Sequence, residues 1–192
     1  MQGPVTFSEG YGVMYGTRSS VKDNSPGKAL ISSEDKRTVL LEVFKSNYKG
    51  DLNEWTENST IALNRNAGFE NFSYAHPAFV NTSGTEMIFS SNMPGGYGGT
   101  DLYYTQLLNN EWSSPVNLGP DINTAGQEMF PYVAKDGTLY FASNGLPGLG
   151  GLDLFKATGS VGKYKGITNL GAPFNSSSDD FGFVAKEGNG EG

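Results

Sequence analysis

The chain repeats itself, and that repetition limits its fold more than any single motif does. "NMPGGYGGTDLYY" (92–104) returns as "NGLPGLGGLDLFK" (144–156), so Asn92 matches Asn144, Gly98-Gly99 matches Gly150-Gly151 and Asp101 matches Asp153, all 52 residues apart. "NLGPDIN" (117–123) returns as "NLGAPFN" (169–175) at the same offset of 52. Upstream, "HPAFVNTSGTEMIFSSN" (76–92) runs parallel to "FPYVAKDGTLYFASN" (130–144), which is two residues shorter. A weaker copy is spread over "GPVTFSEGYGVMYGTR" (3–18), "EVFK" (42–45), Trp55 and "IALN" (61–64), and a fourth starts at "FGFVAKEG" (181–188). A period of this length marks one supersecondary unit that buries its apolar face only by stacking on its neighbours.

Each copy reads as four short strands, placed in the third copy at 131–134, 138–143, 153–157 and about 164–170. "TLYFAS" and "DLFKA" are rich in the aromatic and β-branched types that strands favour, and "KDG" is a hairpin turn in which Gly137 is free to take positive φ. No segment holds a helical period. The expected class is all-β, a partial β-propeller of about three four-stranded antiparallel blades plus the first strand of a fourth. The blades are expected at 4–75, 76–129 and 130–180, with the start of the next at 181–192. Alternating strand direction puts the glycine-rich loops and the "NLGPDINTAGQE" connections on one face. Glycine-rich loops also cradle phosphates, but a phosphate loop opens a helix, and here a strand follows. The expected role of these glycines is therefore architectural.

The bulk composition excludes several partners. Thirteen Lys and Arg against 20 Asp and Glu give a net charge of -7, the wrong sign for a phosphate backbone, and no basic run suits an anionic membrane. There is no cysteine, hence neither disulfide framework nor thiol chemistry. No apolar run reaches membrane-spanning length, and no signal peptide is present in this stretch.

Four sets of residues are candidates for chemistry. Asp101 and Asp153, with Glu42 aligned to them, stand just before the third strand of each copy. With the loop carbonyls they are calcium candidates, although one acid per loop offers few ligands, and the alternative is that each carboxylate fixes its own loop. Glu70, Glu128 and Asp180 precede the first strand of successive copies, where they form an acidic interaction rim or else repeat a turn bond. His76, the sole histidine, aligns with Phe130 and Phe181, which favours packing over catalysis. Trp55, Trp112 and Tyr164 align at the start of the fourth strand and are expected to be buried between neighbouring copies. Asn123 and Asn175 are expected to make Asx-type turn bonds. The polar insertion at 19–38 is expected to project as a loop, either for recognition or as a tolerated excursion. No cofactor is expected.

"MFPYVAKDGTLYFASNGLPGLGGLDLFKA" (129–157) resembles the TolB-like, WD-like propeller repeat of the Pro and Asp-Gly type. With "NLG…IN" ahead of it, the pattern is similar to that of OmpA-family cell-envelope proteins of Bacteroidota, including the peptidoglycan-associated component of type IX secretion and gliding machinery. The resemblance is strong over 76–180 and weaker over 3–75. It implies a periplasmic or outer-membrane-associated, non-catalytic scaffold with protein partners. No OmpA-like domain lies in these residues, so peptidoglycan binding does not transfer to them. Two other readings compete. A propeller glycosidase would need two carboxylates about 5–10 Å apart across a pocket, whereas these acids recur at equivalent positions. "AKDGTLYF" also resembles a sialidase-type aspartate box but lacks the tryptophan that follows it. A calcium-bound adhesive module is the other reading.

Three and a half blades fall short of the roughly four to eight that close a ring, so an open arc that self-associates through its end faces is expected. Light scattering coupled to size exclusion should show a concentration-dependent rise in mass. A constant monomer mass over a wide range would refute it.

Overall fold

A computed structural model describes residues 2–8, 12–22, 38–57, 59–61 and 72–185. Among them there is no helix, and the strands form three antiparallel sheets. The first sheet holds β1 (Gln2–Phe7), β2 (Val13–Lys22), β3 (Thr38–Lys49), β4 (Glu54–Trp55) and β5 (Ser59–Thr60). The second holds β6 (Tyr74–Phe79), β7 (Glu86–Ser91), β8 (Asp101–Leu108), β9 (Glu111–Trp112) and β10 (Val116–Asn117). The third holds β11 (Glu128–Val133), β12 (Leu139–Ser143), β13 (Asp153–Thr158) and β14 (Lys165–Asn169). Each sheet is an up-and-down meander, and none closes on itself. The leading strands β1, β6 and β11 pack side by side.

Every leading strand carries a bulge at the same place. Pairing slips between Gln2 and Val5, between Ala75 and Ala78, and between Met129 and Tyr132. Each slip contains a proline, at Pro4, Pro77 and Pro131, and proline has no amide proton to give the ladder. The preceding residues His76 and Phe130 take up the extra length in left-handed backbone, at φ 52° and 53°.

The sheets bury their facing sides against each other. Tyr15 and Val43 of the first sheet meet Tyr74, Met87, Phe89 and Tyr103 of the second. Ile88 and Leu102, on the other face of the second sheet, meet Leu139, Phe141, Phe155 and Tyr164 of the third. This alternation follows from the two-residue period of a strand, which sends neighbouring side chains to opposite faces.

Backbone contacts fasten the second sheet to the third where the glycine loop meets the next connection. The Gly99 amide donates to Gly126 O at 2.7 Å, and the Glu128 amide donates to Thr100 O at 2.7 Å. One repeat later the Asp180 amide donates to Leu152 O at 2.6 Å. A Cβ on Gly98 would strike the carbonyl oxygens of Thr124 and Gly126, and one on Gly150 would strike those of Ser176 and Ser178. The glycines admit backbone against backbone, which is why the loop is rich in them.

In its strands and turns the fold departs from expectation in three places. The insertion does not leave the sheet at residue 19, because β2 and β3 stay paired out to Lys22 and Thr38, and residues 23–37 lie outside the described residues. The first strand of the fourth copy, expected after residue 181, forms no ladder among the described residues. Phe183 instead lays its ring on Tyr140 at 4.5 Å. Asn123 and Asn175 make no local turn of their own. Asn123 Oδ1 accepts the Leu102 amide at 2.8 Å and its Nδ2 donates to Leu102 O at 3.0 Å, while Asn175 repeats both bonds on Leu154. Each carboxamide is buried, so both of its ends need partners, and the strand edge 21 residues upstream supplies them.

Replacing Asn123 with Ala should leave the Leu102 amide buried without its acceptor and cost about 1–3 kcal/mol. Gly98→Ala should cost a similar amount by forcing the loop off the connection. Gly12→Ala, where an added Cβ meets nothing within 4 Å, should change little. Urea unfolding midpoints check all three. Equal midpoints for Gly98→Ala and Gly12→Ala would refute the fastening role.

Candidate functional site

The aspartates before the third strand are tied into their own glycine loops. Asp101 accepts the Tyr97 amide at 2.6 Å, the Gly98 amide at 3.1 Å and Asn117 Nδ2 at 2.7 Å. Asp153 accepts the Leu149 amide at 2.7 Å and the Gly150 amide at 3.1 Å, both on Oδ2. Both carboxyl groups are buried. Gly96 and Gly148 are placed so that a Cβ would strike these carboxylates, so the loop wraps directly over them. The carboxylates face N–H donors, an arrangement that holds a loop. Asp153 differs from Asp101 in one respect. Asn169 Nδ2 turns to Pro147 O at 3.3 Å instead of to the carboxylate, and Asp153 Oδ1 is left buried without a partner. Glu42, at the same register, pairs with Arg18, Oε2 to Nη2 at 3.8 Å. Among the described residues no three His, Asp or Glu side chains converge on one point.

The acidic rim is corrected at Glu128, which is 0% exposed. Its carboxylate accepts the Thr124 amide at 2.9 Å, the Thr124 hydroxyl at 2.6 Å and the Ser143 hydroxyl at 2.7 Å. It closes the turn that delivers the chain to β11 and shows solvent nothing. Asp180, half-buried, closes the matching turn in the next copy, accepting the Ser176 amide at 2.6 Å and the Ser176 hydroxyl at 3.0 Å. Register gives Glu128 a counterpart in the second sheet that is not acidic: Glu128 pairs with Ser143 as Tyr74 pairs with Ser91. Glu70 lies outside the described residues.

His76 belongs to a stack of rings. It lies 3.9 Å from Phe130, and Phe130 lies 4.6 Å from Phe181, with both pairs nearly parallel. These are the three positions that align in the repeat, brought together because the leading strands are neighbours. The His76 amide donates to Thr17 Oγ1 of the first sheet at 2.8 Å, and Nδ1 lies 2.8 Å from Ser90 Oγ. Burial lowers its pKa from the ordinary 6.5 to about 4, so the ring is neutral at physiological pH. Phe181, at the open end of the stack, is 54% exposed. A pocket of about 110 Å³ lies beside the stack, lined by Val5, Pro77, Pro131 and Val184 among others.

The aligned rings at the start of the fourth strand have unequal surroundings. Tyr164 is buried, its hydroxyl lacks a partner, and burial pushes its pKa up to about 12. Trp112 is half-buried, with its ring perpendicular to Tyr15 of the first sheet at 5.7 Å. Trp55 is 38% exposed, which corrects the burial expected of it, and among the described residues it meets rings of its own sheet, Phe7 at 5.9 Å and Tyr48 at 5.4 Å. Each such ring leans on the sheet before its own, and no described sheet precedes the first. Beside Trp112 lies a cleft of about 680 Å³ between the first and second sheets, which nothing in the sequence reading had marked. The available signal was a substitution within the repeat: Lys45 stands where the next copy has Tyr104.

His76 sets a pH dependence whose sign follows from its lowered pKa. Above about 6.5 the ring is neutral whether folded or unfolded, and stability is full. As pH falls from 6.5 towards about 4 the unfolded chain takes the proton first, so stability falls, by at most about 3 kcal/mol. The double variant His76→Phe/Ser90→Ala copies the third sheet, which carries Phe130 and Ala142 at these positions. It should remove that part of the decline while other carboxylates keep theirs. Equal acid sensitivity in variant and wild type, measured by denaturant unfolding at several pH values, would refute this. No protein-family model, curated protein or solved structure matches the chain.

Proposed function

We propose that the three sheets are consecutive blades of a β-propeller and that the chain is a non-catalytic interaction scaffold. The observation that carries this reading is the fate of the repeated acids. Asp101, Asp153, Glu128 and Asp180 each accept donors from their own turn or loop. They are spent on holding backbone, the opposite of a carboxylate pair poised across a substrate. The meander order within each sheet and the packing of leading strands are what blades require.

The resemblance of residues 129–157 supports reading the chain as part of a bacterial cell-envelope protein, periplasmic or outer-membrane-associated, with protein partners in the envelope and a link to the type IX secretion or gliding machinery. No helix among the described residues is long and apolar enough to cross a membrane.

Two measurements test the proposal. The purified chain should show no turnover on a panel of glycosides, esters and phosphate esters. Turnover that Glu128→Gln or Asp180→Asn abolishes would overturn it. Proximity labelling in an envelope fraction should mark machinery proteins, and labelling confined to cytoplasmic proteins would refute the location.

A further inference from the structure

The two gaps between sheets are built from the same positions, yet among the described residues only one is filled. Between the second and third sheets, Tyr104, Leu118 and Val161 pack onto the core beside Tyr164. Between the first and second, Lys45 replaces Tyr104 and Ile61 replaces Leu118. The turn before Trp112 is the tight pair Asn109–Asn110, at φ 52° and 66°, where the third sheet has the longer "GSVGK". The ring, the valine and the longer turn that close the second gap are all missing from the first. What remains is the cleft of about 680 Å³, a volume that suits a ligand of a few rings.

Its lining is mixed. Tyr15 and half-buried Trp112 supply aromatic surface, while Asn110, Glu111 and Ser114 supply donors and acceptors, and Lys45 supplies an ammonium. We propose that this cleft between the first two sheets binds an acidic saccharide of the uronic-acid class, with Trp112 against a sugar ring and Lys45 on its carboxylate. A pyranose presents C–H groups on its face and hydroxyls around its edge, matching an indole bordered by small polar side chains. A purely apolar ring would strip water from Asn110, Glu111 and Ser114 without replacing its hydrogen bonds. A phosphate ester would bring about two charges against one ammonium, beside Glu111 and on a chain of net charge -7. One carboxylate per ring matches one lysine. This site is independent of the scaffold reading and of the acids that hold the loops.

The test is tryptophan fluorescence of the whole chain titrated with trigalacturonate, its methyl ester and tetraglutamate. Trigalacturonate should give a saturable change at millimolar concentration or below. The ester, and the Lys45→Gln variant with the acid, should bind about tenfold more weakly. Lys45→Tyr, which installs the side chain that helps fill the second gap, should abolish binding while the thermal melt stays cooperative. Trp112→Ala, followed by titration calorimetry because it removes the fluorescent reporter, should abolish binding too, and Trp55→Phe should leave the fluorescence change intact. The proposal is overturned if trigalacturonate gives no saturable change, if the ester binds as well as the acid, if Lys45→Tyr binds like wild type, or if tetraglutamate binds more tightly.

Discussion

The second and third sheets act as one body because the backbone of a glycine loop lies directly on the connection that follows it. A sheet with both faces apolar must cover both of them against its neighbours, so each sheet depends on the one beside it. Side chains on facing strands supply the adhesion, but they are non-directional and would tolerate sliding. The bonds from Gly99 to Gly126 and from Glu128 to Thr100 add direction and fix the register of one sheet on the next. Everything around them protects those bonds. Glu128 holds the turn from inside, Asp101 holds the glycine loop from beneath, and Asn123 ties the connection back to β8. Buried polar groups of this kind are costly unless every one is answered, and here nearly all are.

The parts legible in the sequence were those governed by short-range pattern. The offset of 52 residues, the strand runs and the Asp-Gly hairpin all depend on residues close together in the chain. The misreadings share a cause. An asparagine in a glycine-rich connection satisfies the local rule for an Asx turn, yet Asn123 and Asn175 bond to strands 21 residues away, where only the folded sheet brings an edge within reach. Glu70 and Glu128 each precede the first strand of a copy and so read as equivalent, but ladder register puts Tyr74 in the place of Glu128. Local motif and sheet register competed there, and register won because it decides which side chains face the core. Trp55 was misread for a related reason: burial of that position depends on the preceding sheet.

The same position can be solved in two ways if its neighbour changes with it. His76 faces Ser90, and Phe130 stands over Ala142 at the equivalent pair. Both His76 and Phe130 keep the left-handed backbone that the following proline and the bulge impose, so the ring lands on the ring of the next strand regardless of its chemistry. Backbone geometry is the invariant here and side-chain identity is secondary. The polar pair in the second sheet is therefore a variation on an aromatic stack, which is why a lone histidine in this chain argues for packing before it argues for catalysis.

That distinction bears on where activity resides in a repeated fold. Positions that recur with the same backbone partners, such as Asp101 with Asp153 and Asn123 with Asn175, are occupied by the task of holding loops and connections in place. Their recurrence is explained by that task alone. Freedom exists only where one copy departs from another without a compensating neighbour. The exchange of His76 and Ser90 for Phe130 and Ala142 is compensated and leaves the stack filled. The exchange of Tyr104 for Lys45 is not, because Ile61 and Trp112 do not reach across the space that the missing ring leaves. A close-packed interior loses contact energy wherever a void persists, so an open cleft between otherwise equivalent sheets carries a cost that its filled counterpart avoids. The residues that keep it open are polar and charged, which lets water or a hydrated ligand occupy it in place of a side chain.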